Sequence, residues 1–279
     1  MNNTFTFNRF KNLLLKDGKM YFRKYGVSLI VWCSLNAIFW IFNLLFGSST
    51  MPPVRFGMLC VWTALAMMMV PEKVYGNANL SREGVGFAML PASSLEKFIS
   101  MFIYCAIVTP IIVFFGGYLV DTLLSLFPFG GFEKPIHINT FNDIYRIIND
   151  HEGAVQAGDM AYPFDKIMSV GMMRTSFYMS IIQWAAIFML GNMLFKKRKT
   201  GKTFACFLGI GYVLSTIIGG VVFANTDRME QWMERFSDFP TEQMVRLCHN
   251  ATICGMVIGI IITGVLLYFT YRKIKTQKY

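Results

Sequence analysis

FISMFIYCAIVTPIIVFFGGYLV, Phe98 to Val120, is a run of 23 residues without a single Asp, Glu, Lys, Arg or His. As a helix it is about 35 Å long, enough to cross a hydrocarbon core of about 30 Å. Five comparable runs surround it: Gly26 to Phe46, Phe56 to Val70, Ser176 to Phe195, Thr203 to Ala224 and Ala251 to Tyr271. The run from Phe56 is short and extends back over Pro52 to Arg55. Within the six runs as first bounded, before that extension, there is no acidic or basic side chain. The reading is an all-α integral membrane protein with six transmembrane helices. A chain that is 54% hydrophobic and 15% charged, with 27 Phe and 20 Met, suits a lipid-facing bundle.

Charge orients the spans. Of the 26 Lys and Arg, 18 fall on one side. Six precede the first span, three follow the second, five follow the fourth and four lie in the tail. Only Asp17, Glu72, Glu83 and Glu96 of the 16 acidic residues share that side. Cytoplasmic loops are enriched in Lys and Arg, so both termini are expected in the cytoplasm. The net charge of +10 is then a topology signal; it hugs the span ends, which argues against nucleic-acid binding. Residues 1 to 25 lack the apolar core of a cleavable signal, so the first span is expected to insert and stay.

The chain divides accordingly. Residues 1–25 form an amphipathic interfacial segment, with Phe7, Phe10, Leu14 and Tyr21 near one helical face and Arg9, Lys16, Lys19 and Arg23 available for the other. Asp17 and Gly18 interrupt that pattern. Residues 26–120 hold spans one to three, with a cytoplasmic loop at 71–97. In that loop Ser93 and Glu96 have the spacing of a capping box, and Pro91 separates a short helix within 77–89 from the span that follows. Residues 121–175 are too long for a simple connection and are expected to form an extracytoplasmic subdomain, with a helix at 143–148. Residues 176–279 hold spans four to six. Outer helices are expected within 226–247, where Met229, Trp232, Met233 and Phe236 follow helical spacing. Gly255 and Gly259 form a small-xxx-small pair suited to close helix packing, and Pro110 is expected to kink span three.

Several chemistries lack their residues. With no ionisable group inside a span, the sequence argues against ion-coupled transport and intramembrane metalloproteolysis. His137, His151 and His249 share no metal spacing, and the six cysteines form neither a metal motif nor a disulfide framework. Thr200-Gly201-Lys202-Thr203 ends like a phosphate-binding loop, but Lys196 stands where that loop needs its first glycine. No nucleotide site and no cofactor are expected. Asn36, Asn43, Gln183, Asn192, Thr63, Thr109, Ser215, Thr216 and Thr263 are the polar residues within spans, and bonding across helices is their expected role.

The order of an amphipathic segment, three spans, an outer loop and three spans, with Leu90-Pro91-Ala92-Ser93-Ser94-Leu95-Glu96-Lys97 before span three, resembles the permease subunit of a type-two ABC exporter. That resemblance covers the whole chain in layout but only this segment in sequence. It implies a bacterial inner-membrane protein that is not itself an enzyme. It would pair with a second permease half and with separate ATPase subunits. The substrate would be hydrophobic or amphipathic. It also implies that Arg82, Glu83, Leu90, Pro91, Ser93, Glu96 and Lys97 couple to the ATPase, and that residues 5–25 are an elbow helix. The outer loop after span three is larger than usual for that family. The competing expectation is a non-transport membrane protein, such as an assembly factor, sensor or immunity protein, acting through the outer loop.

Overall fold

The computed structural model describes residues 5–47, 49–80, 84–127, 132, 134–137, 140, 142–145, 154–157, 160–163, 167–224 and 241–276. In chain order the helices are α1 (Phe7–Ser34), α2 (Asn36–Phe46), α3 (Pro52–Tyr75), α4 (Gly84–Ala88), α5 (Ser94–Phe102), α6 (Thr109–Ser125), α7 (Val170–Leu194), α8 (Lys199–Ala224) and α9 (Thr241–Thr276). A 3-10 turn at Gly76–Asn79 follows α3, and a π-helical turn at Ile103–Val108 joins α5 to α6. Two four-residue strands, β1 (Ala154–Ala157) and β2 (Met160–Pro163), pair antiparallel in the loop after α6. Among the described residues five helical stretches are long and apolar enough to cross a membrane: Phe7–Phe46, Pro52–Asn79, Ser94–Ser125, Val170–Leu194 and Val245–Thr276. This is the architecture of a multi-pass helical membrane protein. The fifth expected span lies in α8, whose side chains are described only as far as residue 217.

Large apolar side chains cover the outside. Val27, Ile30, Ile38 and Leu45 on the first stretch, and Phe115 and Leu119 on α6, are more than half exposed. A soluble chain rarely tolerates so continuous an apolar surface, whereas lipid solvates it. The interior is small: Tyr21, Tyr25, Met67, Val70, Met101 and Met189 join α1, α3, α5 and α7 in one core.

The helices depart from the sequence reading where side chains handle strain. No boundary separates an interfacial segment at residue 25 from the first span, because α1 runs through Gly26 to Ser34. The interruption comes at Leu35, beside Ser34, whose hydroxyl donates to the Val31 carbonyl (3.0 Å) and competes with the helix ladder. At the far end of α2, Gly47 takes φ of 61° and donates its N–H to the Asn43 carbonyl, the left-handed cap that glycine adopts most easily. Helix α3 opens on Pro52 and Pro53, as the extension to Arg55 anticipates, and it continues through Pro71 to Tyr75. Hydroxyls support the carbonyls around that proline: Tyr25 donates to Ala66 O (2.8 Å) and Thr200 to Met68 O (3.3 Å).

The irregularity in span three is the π turn just before Pro110. Proline has no N–H and its ring crowds the carbonyl four residues back, so the ladder widens there. The Thr109 hydroxyl donates to Tyr104 O (2.7 Å) and also bonds the Tyr21 hydroxyl of α1 (2.9 Å). Helix α9 starts directly after Pro240 and runs 36 residues, so the second outer helical piece is continuous with span six. Met229, Trp232, Met233 and Phe236 lie outside the described residues, as do 146–148 of the expected outer helix; 142–145 are helical.

Close helix packing is found elsewhere than at Gly255 and Gly259. A Cβ at either position would meet none of the described residues within 4 Å. The close approaches among the described residues are Gly191 of α7 against Thr203 of α8, Gly116 and Gly117 of α6 against Cys33 and Leu59, and Gly18 of α1 against the Tyr104 hydroxyl. The polar span residues also divide. Asn192 donates to Tyr75 O (3.3 Å) and Thr109 reaches Tyr21, both across helices. Thr63, Ser215, Thr216 and Thr263 instead donate to carbonyls of their own helices.

Candidate functional site

The end of the bundle that carries the basic residues is knit together by buried carboxylates. Ser93 is the N-cap of α5 and its side chain accepts from Glu96 N (3.2 Å). Glu96 reaches back so that its Oε2 accepts from Ser93 N (2.8 Å), which completes the capping box read from the sequence. The other oxygen accepts from Thr6 N (2.8 Å) and from the Arg9 guanidinium (3.1 Å). One fully buried carboxylate thereby caps α5 and latches the start of α1 against it. Asp17, 3% exposed, extends the tie inward by accepting from Ser100 Oγ of α5 (2.6 Å) and Tyr75 OH of α3 (3.3 Å).

The second half of the bundle closes onto the same end. Glu72 of α3 accepts from the Lys199 and Thr200 backbone N–H groups (3.2 and 2.7 Å), which are among the free donors at the start of α8. The Lys199 ammonium bonds the Gly76 carbonyl. Asn79 of the 3-10 turn donates to the carbonyls of Met193 (2.7 Å) and Phe195 (3.3 Å), which the end of α7 leaves without helical donors. The Thr200-to-Thr203 turn rejected above as a phosphate loop is thus the capped start of a helix.

These ties brace the segment between α3 and α5 and decide which of its side chains face outward. Ser93, Glu96 and Lys97 are buried; the Lys97 ammonium donates to Ala88 O (3.1 Å) and lies over the Phe87 ring. They hold the loop's own fold, so the coupling contact expected of these three does not match their orientation. Leu90 is half-buried and Pro91 exposed. Met89 is 78% exposed and Leu95 is 41% exposed. Among the described residues from α4 through α5 the large outward side chains are therefore apolar: Met89, Pro91 and Leu95. Arg82 and Glu83 lie outside the described residues.

A second polar centre sits at the opposite end. Arg55 of α3 and Asp121 of α6 form an ion pair (2.8 Å) in which both side chains are essentially unexposed. Asp121 also accepts from Ile136 N (3.0 Å), while Arg55 donates to the Lys134 carbonyl and lies 3.9 Å from the centre of the Phe132 ring. Phe132 and Ile136 are buried, so the base of the outer loop is folded down onto the pair. The expectation that the spans carry no ionisable residue holds for the apolar runs but not for the helices containing them, which enclose Asp17, Arg55, Glu72, Glu96 and Asp121. A signal for the missed pair was present: opposite charges flank consecutive spans at the same end. Nothing in the pattern of Asp17 announced its hydrogen bonds.

The chain matches no protein-family model, no curated protein and no solved structure.

Proposed function

We propose that this chain is the permease subunit of an ATP-driven ABC exporter in a bacterial inner membrane. Both termini are cytoplasmic and six helices span the bilayer, α8 supplying the fifth. The carrying observation is the braced loop with its outward apolar rim, Met89, Pro91 and Leu95. A transporter without a nucleotide site must receive work from a partner. A contact can transmit that work only if its base is stiff, and here Glu96, Lys97, Asn79 and Glu72 tie the region between α3 and α5 to α1, α7 and α8. The rim replaces Ser93, Glu96 and Lys97 as the ATPase contact; Arg82 and Glu83 belong beside it by resemblance. The face of α9 where Gly255 and Gly259 meet none of the described residues suits a second permease half. The apolar bundle suits a hydrophobic or amphipathic cargo.

The test is purification of the tagged chain in mild detergent from its native membrane, with mass spectrometry of what accompanies it. A stoichiometric ABC ATPase that is lost from a Met89→Asp/Leu95→Asp variant, with the α-helical signal unchanged, supports the reading. A preparation without an ATPase overturns it. The outer loop anchored on Arg55 and Asp121 favours the second reading, a non-transport protein acting through that loop. It predicts that function survives the rim variant and is lost when 142–166 is deleted.

A further inference from the structure

Between the last turns of α7 and α9 lies a cleft of about 290 Å³ lined by Leu190, Leu194, Phe269, Arg272, Lys273 and Thr276. Its two walls follow from helical spacing. Leu190 and Leu194 are four apart on α7, while 269, 272, 273 and 276 fall at i, i+3, i+4 and i+7 on α9, so each set lies on one face. The floor is apolar and the rim is cationic. Phe269 belongs to the apolar run ending at Tyr271, and Arg272 and Lys273 directly follow it. The cleft therefore straddles the level at which a bilayer changes from acyl chain to headgroup.

We propose that this cleft binds one anionic phospholipid, its phosphate held by Arg272 and Lys273 and an acyl chain laid against Leu190, Leu194 and Phe269. Charge complementarity identifies the occupant. Neither cation has a carboxylate partner among the described residues, and no Asp or Glu occurs in 190–199 or 266–276. Two carboxylates at the same end of the bundle are committed elsewhere, Glu72 to the start of α8 and Glu96 to Arg9. The ends of α7 and α9 present carbonyls, which repel anions, but that partial charge is outweighed by two full charges beside the cleft. A zwitterionic headgroup would bring its own cation beside Arg272 and Lys273 and offer no net negative charge, whereas an anionic headgroup keeps its net negative charge for them. A free phosphate would use the rim and leave the apolar floor wet. The site is independent of the exporter reading and requires only that the helices lie in a bilayer.

The experiment is native mass spectrometry of the full chain released from nanodiscs of phosphatidylcholine doped with phosphatidylglycerol. The expected result is one retained phosphatidylglycerol, with retention reduced about tenfold in Arg272→Gln/Lys273→Gln. The charge-matched control Lys197→Gln/Lys275→Gln, which alters two neighbouring lysines outside the cleft, retains it. Equal losses in the two variants would show diffuse surface attraction and overturn the proposal. Displacement by inorganic phosphate alone would mark a small-anion site and overturn it equally. Unchanged retention in Arg272→Gln/Lys273→Gln would place the lipid elsewhere.

Discussion

Glu96 accepts hydrogen bonds from Thr6, Arg9 and Ser93 with no exposure to solvent, so its substitution probes architecture before it probes a partner. Glu96→Gln keeps an acceptor but loses the charge that strengthens three bonds. The expected loss is about 1–3 kcal/mol, read as a lower unfolding midpoint in detergent with new protease cleavage near residues 5–11. Reversal to Arg would put a cation against Arg9 and the α5 N-terminus, and misassembly is expected. The Arg55–Asp121 pair makes a sharper case. Arg55→Met or Asp121→Leu alone strands a buried charge and should destabilise by about 3–5 kcal/mol, whereas the double substitution should recover most of that loss. A double-mutant cycle on thermal unfolding measures the difference, and additive losses would contradict the arrangement.

At the scale of elements, the joint between α7 and α8 depends on Gly191 facing Thr203. A methyl group at 191 would meet the branched Cβ of Thr203, which cannot rotate away as a long side chain can. Gly191→Ala should therefore cost about 1–3 kcal/mol, and Thr203→Ala in the same chain should restore only part of it, because it removes the hydroxyl and methyl but keeps the Cβ, which would stand 2.7 Å from the added methyl. The unfolding midpoints of the single and double variants check this. Gly255→Ala clashes with none of the described residues and should stabilise the isolated chain by about 1 kcal/mol through helix propensity, so a loss of assembly on that change reports a partner. The joint between α1 and span three depends on Thr109, whose hydroxyl serves both the π turn and Tyr21. Thr109→Val should cost about 1–3 kcal/mol by leaving the Tyr104 carbonyl without that bond.

For the whole molecule, hydrogen bonds gather the start of α1, the segment between α3 and α5, the end of α7 and the start of α8 at one end. The Phe98–Tyr271 ring contact adds the last turns of α9. Arg55, Asp121 and the base of the loop after α6 occupy the other. In a cysteine-free background, single cysteines at Lys11 and Lys275 should both resist a membrane-impermeant maleimide added to intact cells, while one at Lys134, an exposed position, should react. Labelling of either Lys11→Cys or Lys275→Cys would reverse the orientation proposed from charge. The α9 face offers the assembly-level counterpart, because only 6% of its most apolar window is buried within the chain. Crosslinking through Gly255→Cys in native membranes should yield a species larger than the single chain if a second half packs there.

Hydropathy, charge and local spacing determined much by themselves. Apolar runs longer than a bilayer core can be read residue by residue, because lipid solvates each side chain independently of the fold. The Ser93–Glu96 capping box was equally legible, because its partners lie three residues apart. The tertiary structure alone decided which charges are internal. Asp17 lies 83 residues from Ser100 and Arg55 lies 66 from Asp121, and no local pattern encodes such distances. It also decided that Glu96 faces inward while Met89, Pro91 and Leu95 face outward, and that Gly191 rather than Gly255 is the close contact. A glycine or a carboxylate acquires its role from what another helix brings to it, and that is settled by packing.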